Sequence, residues 1–411
     1  MAEWISKTLG ELTSFISKGI PPKYVDEENE NTIRVLNQKC NRNFEISYNE
    51  SRIHNAAVKK VPENKLLHSG DVLINSTGTG TAGRVAQIFN IPMPTTVDGH
   101  MILLRPTKEI DPLYYGYVIK SYQKKIESLA EGSTGQTEIN RQRLQDEIYI
   151  TFPKDRALQK EIGTFLFQID EKIKNNSEIN NNLEQQAQAI FKSWFVDFEP
   201  FGGVQPSEMQ FIPLQELCKV VTKGTTPTTL GKSFTSSGIN FIKAESILDN
   251  HSIDSSKFAF IDEETNALLK RSVIKANDIV FTIAGTLGRF AMVDNSVLPA
   301  NTNQAVAIIR PDENKVTPAY LYSFFIGNWH NEYYSKRIQQ AVQANLSLTT
   351  IKSLPIAVLN NTTMSNYDEL VSPLFALMKN NEEENRRLSK LRDTLLPKLM
   401  SGEFDVSNIE L

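Results

Sequence analysis

From Asp155 to Phe198 the chain contains no proline and a single glycine, Gly163. Within it, residues recur at alternating steps of four and three. The positions are Ile162, Leu166, Ile169, Ile173, Asn176, Asn180, Leu183, Ala187, Ile190 and Trp194. That is the repeat of a coiled-coil helix. A second segment keeps the same rhythm at Leu370, Leu374, Leu377, Asn381, Glu384, Leu388, Leu391 and Leu395. Both seams turn polar at corresponding places, Asn176 and Asn180 matching Asn381 and Glu384. If the two halves of the chain are related by a pseudo-twofold axis, the helices pair antiparallel and these polar positions meet near the middle. Buried polar groups there would set the register at some cost in stability. Pro373 marks either the start of the second helix, with Ser372 as N-cap, or a kink within it.

The segments in front of the two helices are alternately apolar and polar over short runs, and they repeat. ELTSFISKGIPPKY (11–24) is echoed by ELCKVVTKGTTPTT (216–229), so that Glu11, Leu12 and Gly19 recur as Glu216, Leu217 and Gly224. SGDVLINSTGTGTAGRVA (69–86) returns as ANDIVFTIAGTLGRFA (276–291), and TTVDGHMILLRP (95–106) as ANTNQAVAIIRP (300–311), with the same closing Arg-Pro. DPLYYGYVI (111–119) and GQTEINRQRLQDEIYITFP (135–153) recur as TPAYLYSFF (317–325) and VQANLSLTTIKSLPIAVL (342–359). Two copies cannot stack into a solenoid, which needs three or more units. Strand-like runs (DVLIN, RVAQIF, MILLRP; DIVFTI, RFAMV, AVAIIRP) separated by turn residues and short helical patches predict an α+β domain of about 150 residues, present twice. The predicted division is a first domain at 1–154, a helix at 155–200, a second domain at 201–361 and a helix at 362–411.

Composition narrows the functional classes. At 40% hydrophobic and 22% charged residues the chain has an ordinary globular make-up. No run of about 18 apolar residues predicts a membrane span, and the first residues lack the pattern of a secretory signal. Cys40 and Cys218 stand alone, which excludes a CxxC zinc site or disulfide framework and suits a reducing, cytoplasmic setting. The net charge of −4 does not advertise nucleic-acid binding. Its distribution softens that: residues 1–150 carry 18 basic and 18 acidic groups and residues 205–358 carry 14 and 13, so the acidity lies in the predicted helices. A basic face on either neutral domain remains open.

Catalytic signatures are weak or missing. Gly78 to Gly83 fits GxGxxG, but the strand-like RVAQIFNIP follows where a dinucleotide fold needs a helix. Ile20-Pro21-Pro22-Lys23 lacks the leading polar residue and the aromatic of a methyltransferase motif. Asp170-Glu171-Lys172 could be cited for a nuclease, yet it flanks the helical seam, where charge is expected. No GxxxxGK[ST] phosphate loop occurs. The histidines, at 54, 68, 100, 251 and 330, are too scattered for a metal site or triad. No catalytic residue and no metal ligand is assigned.

Two similar domains alternating with two similar long helices resemble, over essentially the whole chain, the specificity subunits of type I restriction-modification enzymes. FKSWFVDFEPF (191–201) is similar to that family's central conserved region and LRDTLLPKLMSGEF (391–404) to its C-terminal one. KGTTPTT (223–229) and AGTLGR (284–289) resemble recurrent turns of its target-recognition domains. The first copy departs from the pattern at KGIPPKY and in its longer STGTGTAGR loop. The resemblance implies a non-catalytic subunit with two α+β target-recognition domains separated by two long antiparallel coiled-coil helices. Each domain would read one half of a split, asymmetric site in double-stranded DNA. The helices would set the gap and dock two methyltransferase subunits, which bind S-adenosylmethionine, and motor-nuclease subunits would add ATP- and Mg-dependent restriction. None of these cofactors is expected on this chain. About 40 helical residues would span roughly 60 Å, enough to separate two domains on a duplex rising about 34 Å per turn. The alternative is a non-catalytic protein-interaction scaffold built from the same duplicated domains.

Polar loops with isolated cations suit groove reading: Arg and Lys pair with guanine, Asn and Gln with adenine, and Ser and Thr reach bases or phosphates. The candidates in the first domain are Lys18, Lys23, Thr79, Thr81, Arg84, His100, Thr134, Gln136 and Thr137. In the second they are Lys223, Thr225, Thr226, Thr228, Lys232, Arg289, Asn301, Asn303, Gln304, Gln343 and Asn345. Trp194, Phe195, Leu395, Leu396 and Leu399 are the candidates for helix packing and partner docking.

Overall fold

The computed structural model of the chain describes residues 3–132, 137–330, 333 and 345–404. It divides into two compact units, Met1–Lys174 with Arg386–Leu411, and Asn175–Asn385. Both are mixed helix and strand.

In the first unit a four-stranded antiparallel sheet has the order Thr13–Lys18, Met101–Pro106, Val72–Asn75, Val85–Gln87. The run DVLIN shows no polar alternation because this sheet is covered on both faces. Val72 and Ile74 point into a core shared with α1 (Pro112–Ser121) and the long helix α2 (Arg156–Phe195). Leu73, facing the other way, packs with Leu36, Val97 and Leu103. That second core lies against a smaller sheet of order Thr95–Val97, Thr32–Leu36, Arg52–Asn55, Tyr24–Val25, whose first pair is parallel.

The second unit repeats the plan. Its main sheet has the order Cys218–Lys223, Val306–Pro311, Ile279–Thr282, Phe290–Met292, beside a smaller sheet of Ala259–Ile261, Ile239–Ile242 and Ala300–Thr302. Ile279 and Phe281 face the core containing α3 (Pro318–Ile326) and residues of α2, whereas Val280 faces the other.

The recurrent Arg-Pro has a physical reason in both copies. Arg105 donates two hydrogen bonds to Asp71, each 2.8 Å, and a third to the Leu66 carbonyl at 2.9 Å. Arg310 makes the same fork to Asp278, at 2.7 Å twice, and reaches the Val273 carbonyl at 3.0 Å. Both carboxylates are buried. Their second task is local: Asp71 accepts from the His68 N–H, and Asp278 from the Lys275 N–H.

Helix α2 has 40 residues and is capped by Asp155, whose carboxylate accepts from the Ala157 N–H at 2.8 Å. Buried Gln159 ties this first turn to the domain, accepting from the Asp111 N–H and donating to the Pro153 carbonyl. Gly163 is required by packing: a Cβ there would lie 2.8 Å from the Leu113 Cβ, so α2 crosses α1 at a separation only glycine permits.

The second long helix, α4, spans Asn361–Ser401, 41 residues. It therefore begins before Pro373, so that of the two sequence alternatives the start with Ser372 as cap does not hold. Asn360 caps it instead, accepting from the Thr363 N–H at 2.9 Å. The first turns are held by burial of Met364, Tyr367 and Val371, which outweighs the hydrogen bond lost at a mid-helix proline.

Within the second unit, Asn176 on α2 donates to Glu384 (2.7 Å) and Asn385 (2.9 Å), and Asn381 donates to Asn180 at 2.8 Å. Rising numbers on α2 thus meet falling numbers on α4, and the helices run antiparallel over this stretch. The polar positions meet as the seam predicted, but the leucine frame of α4 needs correction. Leu370, Leu377 and Leu391 are 44–48% exposed, while Tyr367, Val371 and Met378 are buried. An apolar stripe is wider than a strict seam, and residue type alone favoured the leucines over the Tyr-Val-Met frame beside them.

Asn381→Leu is expected to destabilise by about 1–3 kcal/mol, since it strands the Asn180 oxygen. The double replacement Asn180→Leu with Asn381→Leu should recover most of that, both polar partners being gone. Urea denaturation of the two single variants and the double variant checks the pattern; additive losses would contradict it.

Candidate nucleic-acid interface

The polar loops gather at the rims of the two main sheets, and matched close contacts hold them there. In the second unit the Gly224 N–H donates to the Asn303 carbonyl at 3.1 Å, and the Thr226 hydroxyl bonds the Gln304 side chain. A Cβ on Gly224 would fall 1.8 Å from the Thr302 carbonyl oxygen, which is why the glycine recurs. On Gly19 it would fall 2.1 Å from the Val97 oxygen. The loop after Thr282 joins the same rim: the Ile283 N–H donates to Ala305, and its carbonyl accepts from Leu346, beside exposed Asn345.

Lys223, Thr225, Thr226, Asn303, Gln304 and Asn345 are thereby brought to one edge, with exposed Thr228 following the Thr226 turn. Arg271, which the sequence reading missed, belongs with them, its guanidinium within 3.4 Å of the Lys223 carbonyl and 3.5 Å of the Thr225 hydroxyl. Three candidates are otherwise engaged. Asn301 is completely buried, donates to Asn266 and Leu269 and accepts from Thr302, so it cannot present its amide to a ligand. Arg289 forks onto Asp249 at 2.6 and 2.7 Å, and Lys232 pairs with Glu264 at 2.7 Å.

In the first unit Lys65 does what Arg271 does in the second. Its ammonium donates to the carbonyls of Lys18 and Gly19 at 2.8 and 3.1 Å. The signal lay in the repeat: Lys65 precedes Asp71, and Arg271 precedes Asp278, at nearly the same spacing. Burial, reinforced by the charge of Arg141, pulls the Lys18 ammonium below the usual lysine range. Lys65 is lowered in the same way, burial first, then Arg141 and Lys59. An anion placed here would favour the charged form of both ammonium groups against that burial and the charge of Arg141. Glu138 now pairs with Lys18.

His100 is exposed and bonds Thr77 at 3.0 Å; Thr77 in turn accepts from Gln38, a third residue the sequence reading missed after Arg271 and Lys65. Half-buried Thr137 adjoins Glu138, whose backbone bridges to Thr77. Thr79 stands exposed at the loop tip, whereas Thr81 and Arg84 hydrogen-bond back onto the loop at Thr77 and Gly80. Lys23 is exposed on a strap whose N–H bonds buried His54. Thr134, Gln136 and Gln343 lie outside the described residues.

Of the packing candidates, Phe195 is buried among Phe191, Tyr320 and Tyr367. Trp194 is half-buried against Phe201 and Tyr367. Leu396 and Leu399 are buried in the first unit's core, with Leu395 half-buried beside them. Burial leaves Phe195, Leu396 and Leu399 no surface for a partner. Among the described residues no group of three or more His, Cys, Asp or Glu side chains could hold a metal ion, and no helix is long and apolar enough to cross a membrane.

Each of the two like domains presents a polar rim that carries cations. The family model described as the type I restriction modification DNA specificity domain matches residues 1–185 and again 206–359. The chain belongs to this family of DNA sequence-specificity subunits. It is similar to the type I restriction enzyme MjaIX specificity subunit of Methanocaldococcus jannaschii, 25% identical over 99% of this chain and 95% of that protein. It is also similar to the HindI specificity subunit of Haemophilus influenzae, 24% identical over 98% and 100% of the two chains. The fold matches the crystal structure of the type I restriction-modification S subunit from M. genitalium with a TM-score of 0.58, at 18% identity over 97% and 96% of the chains.

Proposed function

We propose that each domain reads one half of a bipartite, asymmetric site in double-stranded DNA through its polar rim. The helices α2 and α4 form an antiparallel coiled-coil spacer between two target-recognition domains related by a pseudo-twofold axis. They set the gap between the half-sites and dock two methyltransferase subunits. S-adenosylmethionine is bound by those subunits, and ATP and Mg by motor-nuclease subunits that join for restriction. The chain itself supplies no catalytic group and acts in the cytoplasm.

The observation that carries this reading is the duplicated rim: Lys18-Gly19 held by Lys65, and Lys223-Gly224 held by Arg271. Cations beside Thr, Asn and Gln suit phosphate anchoring with base reading close by. The test is to express the chain with its neighbouring methyltransferase gene and map methylated adenines across the host genome. The expected result is a split motif with a fixed gap, absent when the chain is omitted. Exchanging residues 205–358 for a homologue's domain should alter one half of that motif only. A continuous motif made with or without the chain would overturn the reading and leave the interaction scaffold in its place.

A further inference from the structure

Both domains are seated on the helices by apolar cores, and the first adds a buried charge network that the second lacks at the matching positions. In the first unit Asp170 of α2 accepts from the Tyr117 hydroxyl of α1 at 2.7 Å and from the Arg392 guanidinium of α4 at 2.5 Å. Lys120, one helical turn beyond Tyr117, lies 3.7 Å from the same carboxylate. Its ammonium sits 4.2 Å from the ring centroid of Phe44, which itself packs on Tyr117. The side chains of Lys120, Asp170 and Arg392 are only 15–20% exposed. Burial pushes Lys120 down to about 8 against the pull of Asp170. One carboxylate therefore joins the domain and both helices. Asp170 is thus more than a charged flank of the seam: it is held between α1, α2 and α4.

At the repeat offset, Tyr117, Lys120, Asp170 and Arg392 correspond to Tyr322, Phe325, Phe375 and Ala187. There Tyr322 meets Phe375 edge-on at 5.3 Å, with Phe325 and Ala187 completely buried. The same architecture is thus seated without any of these charges, as expected when apolar residues can replace a buried ion network at no loss of stability. What the network adds is direction: bonds to a carboxylate hold their donors to narrow ranges of distance and angle.

We propose that Asp170 is a positioning residue that fixes the orientation of the first domain on α2 and α4, and through it the gap length the complex accepts. This rests on the reading of the helices as a spacer.

The test uses the full chain in complex with its methyltransferase subunit. The DNA panel carries both half-sites at the native gap and at gaps one and two base pairs longer or shorter. The readout is the ratio of methylation rates, native gap over shifted gap, with Tm measured in parallel. Asp170→Asn is expected to lower that ratio roughly tenfold, the discrimination that a hydrogen bond to a charged group can supply. The triple replacement Lys120→Phe, Asp170→Phe, Arg392→Ala copies the second seat. It should also lose gap discrimination while keeping a Tm near that of the native chain. A merely structural role would lower all rates together and leave the ratio unchanged, and that result overturns the proposal. If the native chain shows no gap dependence, the spacer reading falls and the proposal with it. If the native chain discriminates and Asp170→Asn discriminates equally, only the proposal falls.

Discussion

Asp278→Ala is expected to cost the second domain about 3–5 kcal/mol, the penalty for leaving a buried ionic partner uncompensated. Arg310 would keep its place between sheet and loop with one carbonyl, that of Val273, in exchange for a bidentate carboxylate. The Lys275 N–H would lose its acceptor too. The same change at Asp71 should destabilise the first domain to a similar extent, because Arg105, Leu66 and His68 repeat the arrangement. Asp249→Ala is the contrast. Its fork with Arg289 is as short, but the Asp249 side chain is 81% exposed, and such pairs are worth at most about 1 kcal/mol. Urea denaturation followed by circular dichroism ranks the three. A loss at Asp278 no larger than at Asp249 would show that the buried fork is dispensable.

Phe191→Ala should be comparably severe, about 3–5 kcal/mol, the range for a large aromatic removed from a packed core. Phe191 is 2% exposed and stands where α2 meets the second domain. Its ring lies 5.0–6.3 Å from those of Phe195, Tyr320, Phe324, Trp329 and Tyr367. Three segments distant in sequence, on α2, α3 and α4, thus share one ring as their common neighbour. No single rotamer change can refill that space. Trp194→Ala should cost less despite the larger side chain, since Trp194 is only half-buried and packs on two rings. Thermal unfolding of the two variants tests the order, and a more damaging Trp194→Ala would reverse the assignment of the hub.

The spacing of the repeat made the duplicated domains, the long helices and the polar meeting point of the seam legible, because like folds at a fixed offset keep matching residues at their tightest points, such as Gly19 and Gly224. It also carried the Lys-Gly turns and the Arg-Pro pairs, whose contacts are local enough to recur together. Other features depended on which atoms are buried against which. Asn301 has the composition of a reader and the position of a strut. Leu370 and Leu377 have the periodicity of a seam and the exposure of a surface, because a stripe of apolar residues admits two neighbouring frames. Arg271 and Lys65 are ordinary loop cations until folding places them on the carbonyls of the Lys-Gly turns. Asp170 reads only as a charged flank of the seam until α1 and α4 close over it. The sequence by itself determined that the chain is two like domains with two like helices, and from that its family. Only the tertiary structure decided which polar groups face outward and which are consumed within, since burial and hydrogen-bond pairing belong to the packed arrangement and not to any one segment.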